Sequence, residues 1–218
     1  MAHALIAAGW QSLLDCFAPL CCPLCGGRLT PARSCLSCRF PDPDRAMRQL
    51  RGDRLGEFLL LAGGSYGGDL RRIVHAFKYR GDPGALHLLA GQAARALLSG
   101  PAWDALVPVP GHPRRVRERG WEPTGDLAAE LGRRCGLPVR RALARVRDTP
   151  PLTGKSAARR RRLVRGAFRA GAADGRLLVV DDVATTGATF RSCRSALIDA
   201  GALSVDLLVA AATPRRFF

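Results

Sequence analysis

The chain has 218 residues, 47% of them hydrophobic and only 6% aromatic. That is enough for one well-cored domain with a small appendage, excludes wholesale disorder, and requires a core of aliphatic side chains and alanine. The net charge of +16 is nearly all arginine, since Lys78 and Lys155 are the only lysines among 34 basic residues; it suits polyanions such as nucleic acid, phosphorylated metabolites or an anionic membrane, with GC-rich coding bias as the competing source of the excess.

In chain order, residues 1–53 form the first predicted unit. "MAHALIAAGWQSLLDCF" has helical periodicity and lacks the basic start of a secretory signal, so it reads as a short amphipathic helix of a cytoplasmic protein. The apolar runs "FLLLAGG" and "DLLVAAA" are far shorter than the ~20 residues of a membrane span.

Two knuckles follow, Cys22 with Cys25 and Cys35 with Cys38, each pair separated by two residues. Four thiolates in that pattern close a tetrahedron on Zn²⁺ at ~2.3 Å. Disulfides, a redox CxxC and buried thiols are the alternatives; the missing secretory signal disfavours the first. Cys21 is a neighbouring alternate ligand, and Cys135 and Cys193 on helical stretches, like Cys16, read as small core residues. Four cysteine ligands leave no open position, so the zinc is expected to be structural. "FPDPD" then reads as a linker.

Residues 54–218 form the second unit. Strands are predicted at "EFLLLAGGSY", "ALVPVP", "RLLVVDD" and "SVDLLVAAA". Helices are predicted at "LRRIVHAFKY", "GALHLLAGQAARALL", "TGDLAAELGRRCG" and "ATFRSCRSALIDAG". The alternation predicts an α/β fold: a parallel sheet with helices on both faces, preceded by a small N-terminal zinc ribbon.

The string "VVDDVATTGAT" carries the chemistry. Ligands of an open parallel sheet sit beyond the carboxyl ends of its strands, and Asp181 and Asp182 fall at such an end. Val183, Ala184, Thr185, Thr186, Gly187, Ala188 and Thr189 follow, leading into a helix whose positive end favours an anion. Carboxylates cannot bind phosphate but accept from sugar hydroxyls, so a ribose 5-phosphate satisfies both halves of the string. A Thr-capped Asp-rich turn is the bland alternative.

"VVDDVATTGAT" resembles the signature of type I phosphoribosyltransferases. With the cysteine ribbon, "HAFKYRGD", "VPVPGHPRRVRERGW" and "RDTPPLTG…RGAF", the chain resembles the ComF family, associated with DNA uptake in natural competence. The resemblance implies that Asp181 and Asp182 hold the ribose of phosphoribosyl pyrophosphate while residues 183–189 hold its 5′-phosphate. It implies Mg²⁺ with that ligand, and a pyrophosphate site at Val109, Pro110, Gly111 and His112, helped by Lys78, Arg117 and Arg119. The chain departs from the family pattern at Glu122, Pro123, Leu152 and Leu163, where polar groups of other kinds are usual.

Two functions follow as expectations: phosphoribosyl transfer to an unnamed acceptor, or a non-catalytic module engaging single-stranded DNA or a DNA-uptake helicase. For the second, the arginines at 114–119 and 159–165 are the expected contacts.

Overall fold

The computed structural model describes residues 19–30, 34–38, 40, 46–98, 100–147 and 166–213. The predicted N-terminal helix, Cys16, most of the Pro/Asp linker, Leu152, Leu163 and the arginines of 159–165 lie outside the described residues.

The elements are β1 (Met47–Asp53), β2 (Gly56–Ala62), α1 (Gly68–Arg80), α2 (Pro83–Arg95), β3 (Ala105–Pro108), α3 (Pro113–Arg119), α4 (Pro123–Cys135), β4 (Leu143–Arg145), β5 (Phe168–Ala170), β6 (Arg176–Ala184), α5 (Ala188–Asp199) and β7 (Ser204–Ala212). The main sheet runs β1-β2-β7-β6-β3. All its pairs are parallel except β1 with β2. Strands β4 and β5 form a separate antiparallel pair.

Burial on both faces explains why the inner strands read as continuous apolar runs. Leu178, Val180, Leu208 and Ala210 join one core with Leu70, Ile73 and Phe77 of α1, Leu88 and Leu89 of α2, and Leu127 and Leu131 of α4. Leu177, Val179, Leu207 and Val209 face the other way, toward Phe190, Cys193 and Leu197 of α5 and Phe168 of β5. Helices thus cover both faces, as predicted.

At its edge the sheet adds one antiparallel strand, β1, to the parallel set. Residues 47–53, assigned from sequence to the N-terminal unit, pair with β2 along its whole length. Their alternation of partly buried and exposed positions is that of an edge strand, and the charges of Arg48, Arg51 and Asp53, which fall on both faces, conceal it in the sequence. The small ribbon docks on this domain: Cys22, Cys35 and Phe40 belong to the core shared with α1 and α2. The contact is close, for a Cβ on Gly84 would stand 2.1 Å from the Cys21 carbonyl oxygen.

Local chemistry sets the elements around the strand ends. Asp82 of "FKYRGD" caps α2, accepting from the Ala85 amide at 2.9 Å, with Pro83 in the first helical position. His112 caps the short α3 and accepts from the Arg114 amide at 3.2 Å through Nδ1. Strand β6 ends in a turn at Gly187, whose φ of +65° favours glycine; α5 begins immediately after. Among the described residues no helix is long and apolar enough to cross a membrane.

Candidate functional site

Strand β6 lies inside the sheet, paired in parallel with β3 on one side and β7 on the other. Its carboxyl end and that of β3 open into one cavity of ≈ 260 Å³. Asp181, Asp182, Val183, Thr185 and Thr189 line it from the first strand's end and loop. Val109, Pro110, Gly111 and His112 line it from the second, and Lys78 and Arg119 complete the sequence-predicted set that meets there.

Not all the expected residues reach the cavity. Ala184, Thr186, Gly187, Ala188 and Arg117 are not among its lining residues. Thr186 and Ala188 are buried, and the Thr186 carbonyl accepts from Arg191 Nη2 at 2.6 Å, so these residues shape the turn from behind. Arg115, Val116, Trp121, Pro123, Thr124 and Arg145 line the cavity instead. Arg115 was hidden in a run of similar arginines. Arg145 lies on β4, which is three residues long and shows no strand pattern in the sequence.

The acids are not free carboxylates on a surface. Lys78, in the last turn of α1, places Nζ 2.9 Å from Asp182 Oδ1. The Asp182 side chain is 6% exposed and that of Lys78 29%. Burial would lower the lysine's pKa, but the charges of Asp182 and Asp181 outweigh it and hold the ammonium above its ordinary value. The Asp182 amide donates to Asp181 Oδ1 at 2.9 Å. Burial, helped by the Asp182 charge, pushes the Asp181 carboxyl up to about 7, against the pull of Lys78 and that amide. Two adjacent carboxylates thus share one resident cation, and Asp181 titrates in the neutral range.

A Mg²⁺ ion on this acid pair would compete with a cation already in place. Mg²⁺ requires near-octahedral oxygens at ~2.0–2.1 Å. Here an ammonium is already in contact with one carboxylate, and the other accepts a backbone hydrogen bond.

The departure at Glu122 has a structural role. Its Oε1 accepts from the Gly111 amide at 2.9 Å and its Oε2 from Arg141 Nη1 at 2.7 Å. The carboxylate staples the loop after β3 to the start of α4, and the Thr124 hydroxyl adds a bond to the Val109 carbonyl at 2.7 Å.

The second site is the cysteine cluster. The sulfurs of Cys22, Cys25, Cys35 and Cys38 lie within 4.8 Å of one another. Cys22–Cys38 and Cys25–Cys35 are 3.5 Å apart, Cys35–Cys38 3.4 Å and Cys25–Cys38 3.1 Å. A tetrahedron with Zn–S bonds of ~2.3 Å has edges of ~3.8 Å, so the four fit one zinc ion after a small expansion. Burial would raise the Cys35 thiol, but the Cys38 amide and the neighbouring sulfurs bring it down to about 7, while burial and the same sulfurs push the Cys38 thiol up. Cys21 is exposed, with its sulfur 3.5 Å from the Pro19 carbonyl oxygen, and stands outside the cluster. Cys193 is buried as expected, but Cys135 is exposed at the end of α4 and is not a core residue.

No family model matches the sequence, and no curated protein matches it. One solved structure similar to this chain is the glutamine phosphoribosylpyrophosphate (PRPP) amidotransferase from B. subtilis complexed with ADP and GMP. The identity is 20% and the TM-score 0.42; the match covers 63% of this chain and 30% of that one. The chain therefore spans under a third of that enzyme's length.

Proposed function

We propose that this chain is a ComF-family, phosphoribosyltransferase-like protein. It binds phosphoribosyl pyrophosphate in the cavity between the ends of β3 and β6, and it acts in DNA uptake. One observation carries the reading: Asp181, Asp182, Thr185 and Thr189 of "DDVATTGAT" and the separate loop Val109–His112 line the same ≈ 260 Å³ cavity. The acids accept from ribose hydroxyls, the 183–189 turn takes the 5′-phosphate, and Arg115 and Arg119 face the diphosphate. Transfer would form a bond from an acceptor nucleophile to ribose C1′ and break the C1′–oxygen bond, the electron pair leaving with pyrophosphate. The ring is cationic in that transition state, so nearby carboxylates stabilise it and arginines stabilise the leaving group. A pyrophosphate-release assay with the common bases tests transfer. Thermal shift with phosphoribosyl pyrophosphate tests binding alone, since a ligand of the native state raises Tm.

A second reading, an accessory module for single-stranded DNA, is favoured by a basic hollow of ≈ 640 Å³ between Pro23 of the ribbon and the outer side of α1. Arg71, Arg72, His75, Tyr79 and Arg80 line it. Tyr79 is 67% exposed, with the Arg119 guanidinium 5.4 Å from its ring centre, an arrangement suited to base stacking beside a phosphate contact. Of the arginines expected from sequence, Arg114 is instead paired with Glu118 at 2.7 Å. Titration with single-stranded DNA at two salt concentrations tests this reading: binding that does not weaken with salt, or that survives Tyr79→Ala unchanged, rejects it.

A further inference from the structure

Resting on the phosphoribosyl reading of this cavity, we propose that the Lys78 ammonium is the built-in counter-cation of the Asp181–Asp182 pair, so that the site holds a phosphorylated ribose with no divalent metal on its acids. The observation is the direct contact, Nζ to Asp182 Oδ1 at 2.9 Å, inside the ligand cavity itself. The charge of Asp181 also acts on the same ammonium, so one cation serves both acids.

The lysine is held for the task. It sits on the last turn of α1 beside Phe77, which is fully buried and packs edge-on against Trp121 at 5.3 Å between ring centres. A helix turn pinned on its core side delivers the ammonium to a fixed place. The residue type is also informative. All but two of the 34 basic residues are arginine, and one of those two lysines stands here. Arginine's planar fork would bind one carboxylate bidentately; an ammonium is a compact point charge with three donors, able to contact a carboxylate and a ligand oxygen together. The remaining cations lining the cavity, Arg115, Arg119 and Arg145, are long planar groups that serve phosphate better than they replace a small ion.

The test uses the full chain in its zinc-bound form. Wild type, Asp182→Asn, Lys78→Met, Lys78→Gln and the double variant Lys78→Met with Asp182→Asn are titrated calorimetrically with Mn²⁺ alone, a probe for hard-cation sites. Tm confirms that each is folded. Wild type is expected to show no Mn²⁺ site dependent on Asp182. Each single Lys78 variant gains one, and the double variant loses it again. A wild-type Mn²⁺ site that Asp182→Asn abolishes overturns the proposal, as does a folded Lys78 variant that gains none. In a second arm the probe is ribose 5-phosphate with and without Mg²⁺. Wild-type affinity should change by less than about twofold, while Lys78→Met should lose about tenfold to a hundredfold without metal, the scale of a lost charge-assisted contact, and recover with Mg²⁺. Metal-dependent binding by wild type overturns the proposal. If wild type binds no ribose 5-phosphate under either condition while the Lys78 variants gain Mn²⁺, the resident cation stands and the phosphoribosyl reading fails.

Discussion

Replacing Asp181 by Asn should stabilise the protein, and only on the alkaline side. In the folded chain burial and the Asp182 charge push the Asp181 carboxyl from its ordinary 3.8 up to about 7. Below about pH 4 the folded and unfolded chains both hold this proton, and it contributes nothing. Between 3.8 and about 7 the unfolded chain gives the proton up first, so stability falls as pH rises, and the full penalty is present above that range. Each tenfold in proton affinity is worth about 1.4 kcal/mol, so the whole displacement corresponds to at most about 4 kcal/mol. Asp181 is partly exposed and Lys78 offsets its charge, so screening reduces the expected penalty to about 1–2 kcal/mol. Asn keeps the oxygen that accepts from the Asp182 amide, 2.9 Å away, and removes only the charge. The assay is urea denaturation of wild type and Asp181→Asn across about pH 5 to 9, taking the difference at each pH so that contributions common to both chains cancel. The gap should widen in favour of the variant up to about pH 7 and then level off. A pH-independent gap, or one that narrows as pH rises, would refute the reasoning.

Further outcomes are expected elsewhere. Purified protein should carry one zinc per chain, and Cys25→Ser or a strong chelator should remove it and lower the Tm of the whole domain, since Cys22 and Cys35 sit in the shared core; metal analysis with calorimetry checks both. Glu130 is buried and binds His87 Nδ1 at 2.9 Å and Arg134 Nε at 2.8 Å, so Glu130→Ala should cost about 3–5 kcal/mol in urea denaturation while leaving ligand affinity unchanged. Gly187→Val should cost about 1–3 kcal/mol because its φ of +65° disfavours a branched side chain, and by distorting the turn that carries Thr185 and Thr189 into the cavity it should also weaken phosphate binding by titration.

The fold was legible wherever burial on both faces made the pattern loud. Residues 177–180, fully buried on β6, announce a strand through unbroken Leu and Val, and Asp82 before Pro83 announces a helix start. The edge strand β1 was not legible, because "MRQLRGD" buries no residue fully and its charges fall on both faces, so its sequence carries no apolar alternation. At the site, the acids and the two loops could be read from local strings. Their partners could not, because Lys78 meets Asp182 across 104 positions of sequence and only the packing of α1 against the sheet brings them together. The same holds for Glu122, whose bond to the Gly111 amide turns an off-pattern residue into a staple. Sequence led to Lys78 as a pyrophosphate contact; no motif announces the contact it makes with Asp182.

The central claim is that this cavity holds a phosphorylated ribose, and calorimetric titration of the zinc-loaded 218-residue chain with phosphoribosyl pyrophosphate tests it most directly. The expected result is saturable one-to-one binding that Gly187→Val weakens by distorting the turn and that the double variant Asp181→Asn with Asp182→Asn weakens by about tenfold or more, as for lost hydrogen bonds to charged groups. No binding by wild type, or unchanged binding by a folded Gly187→Val variant, would contradict it.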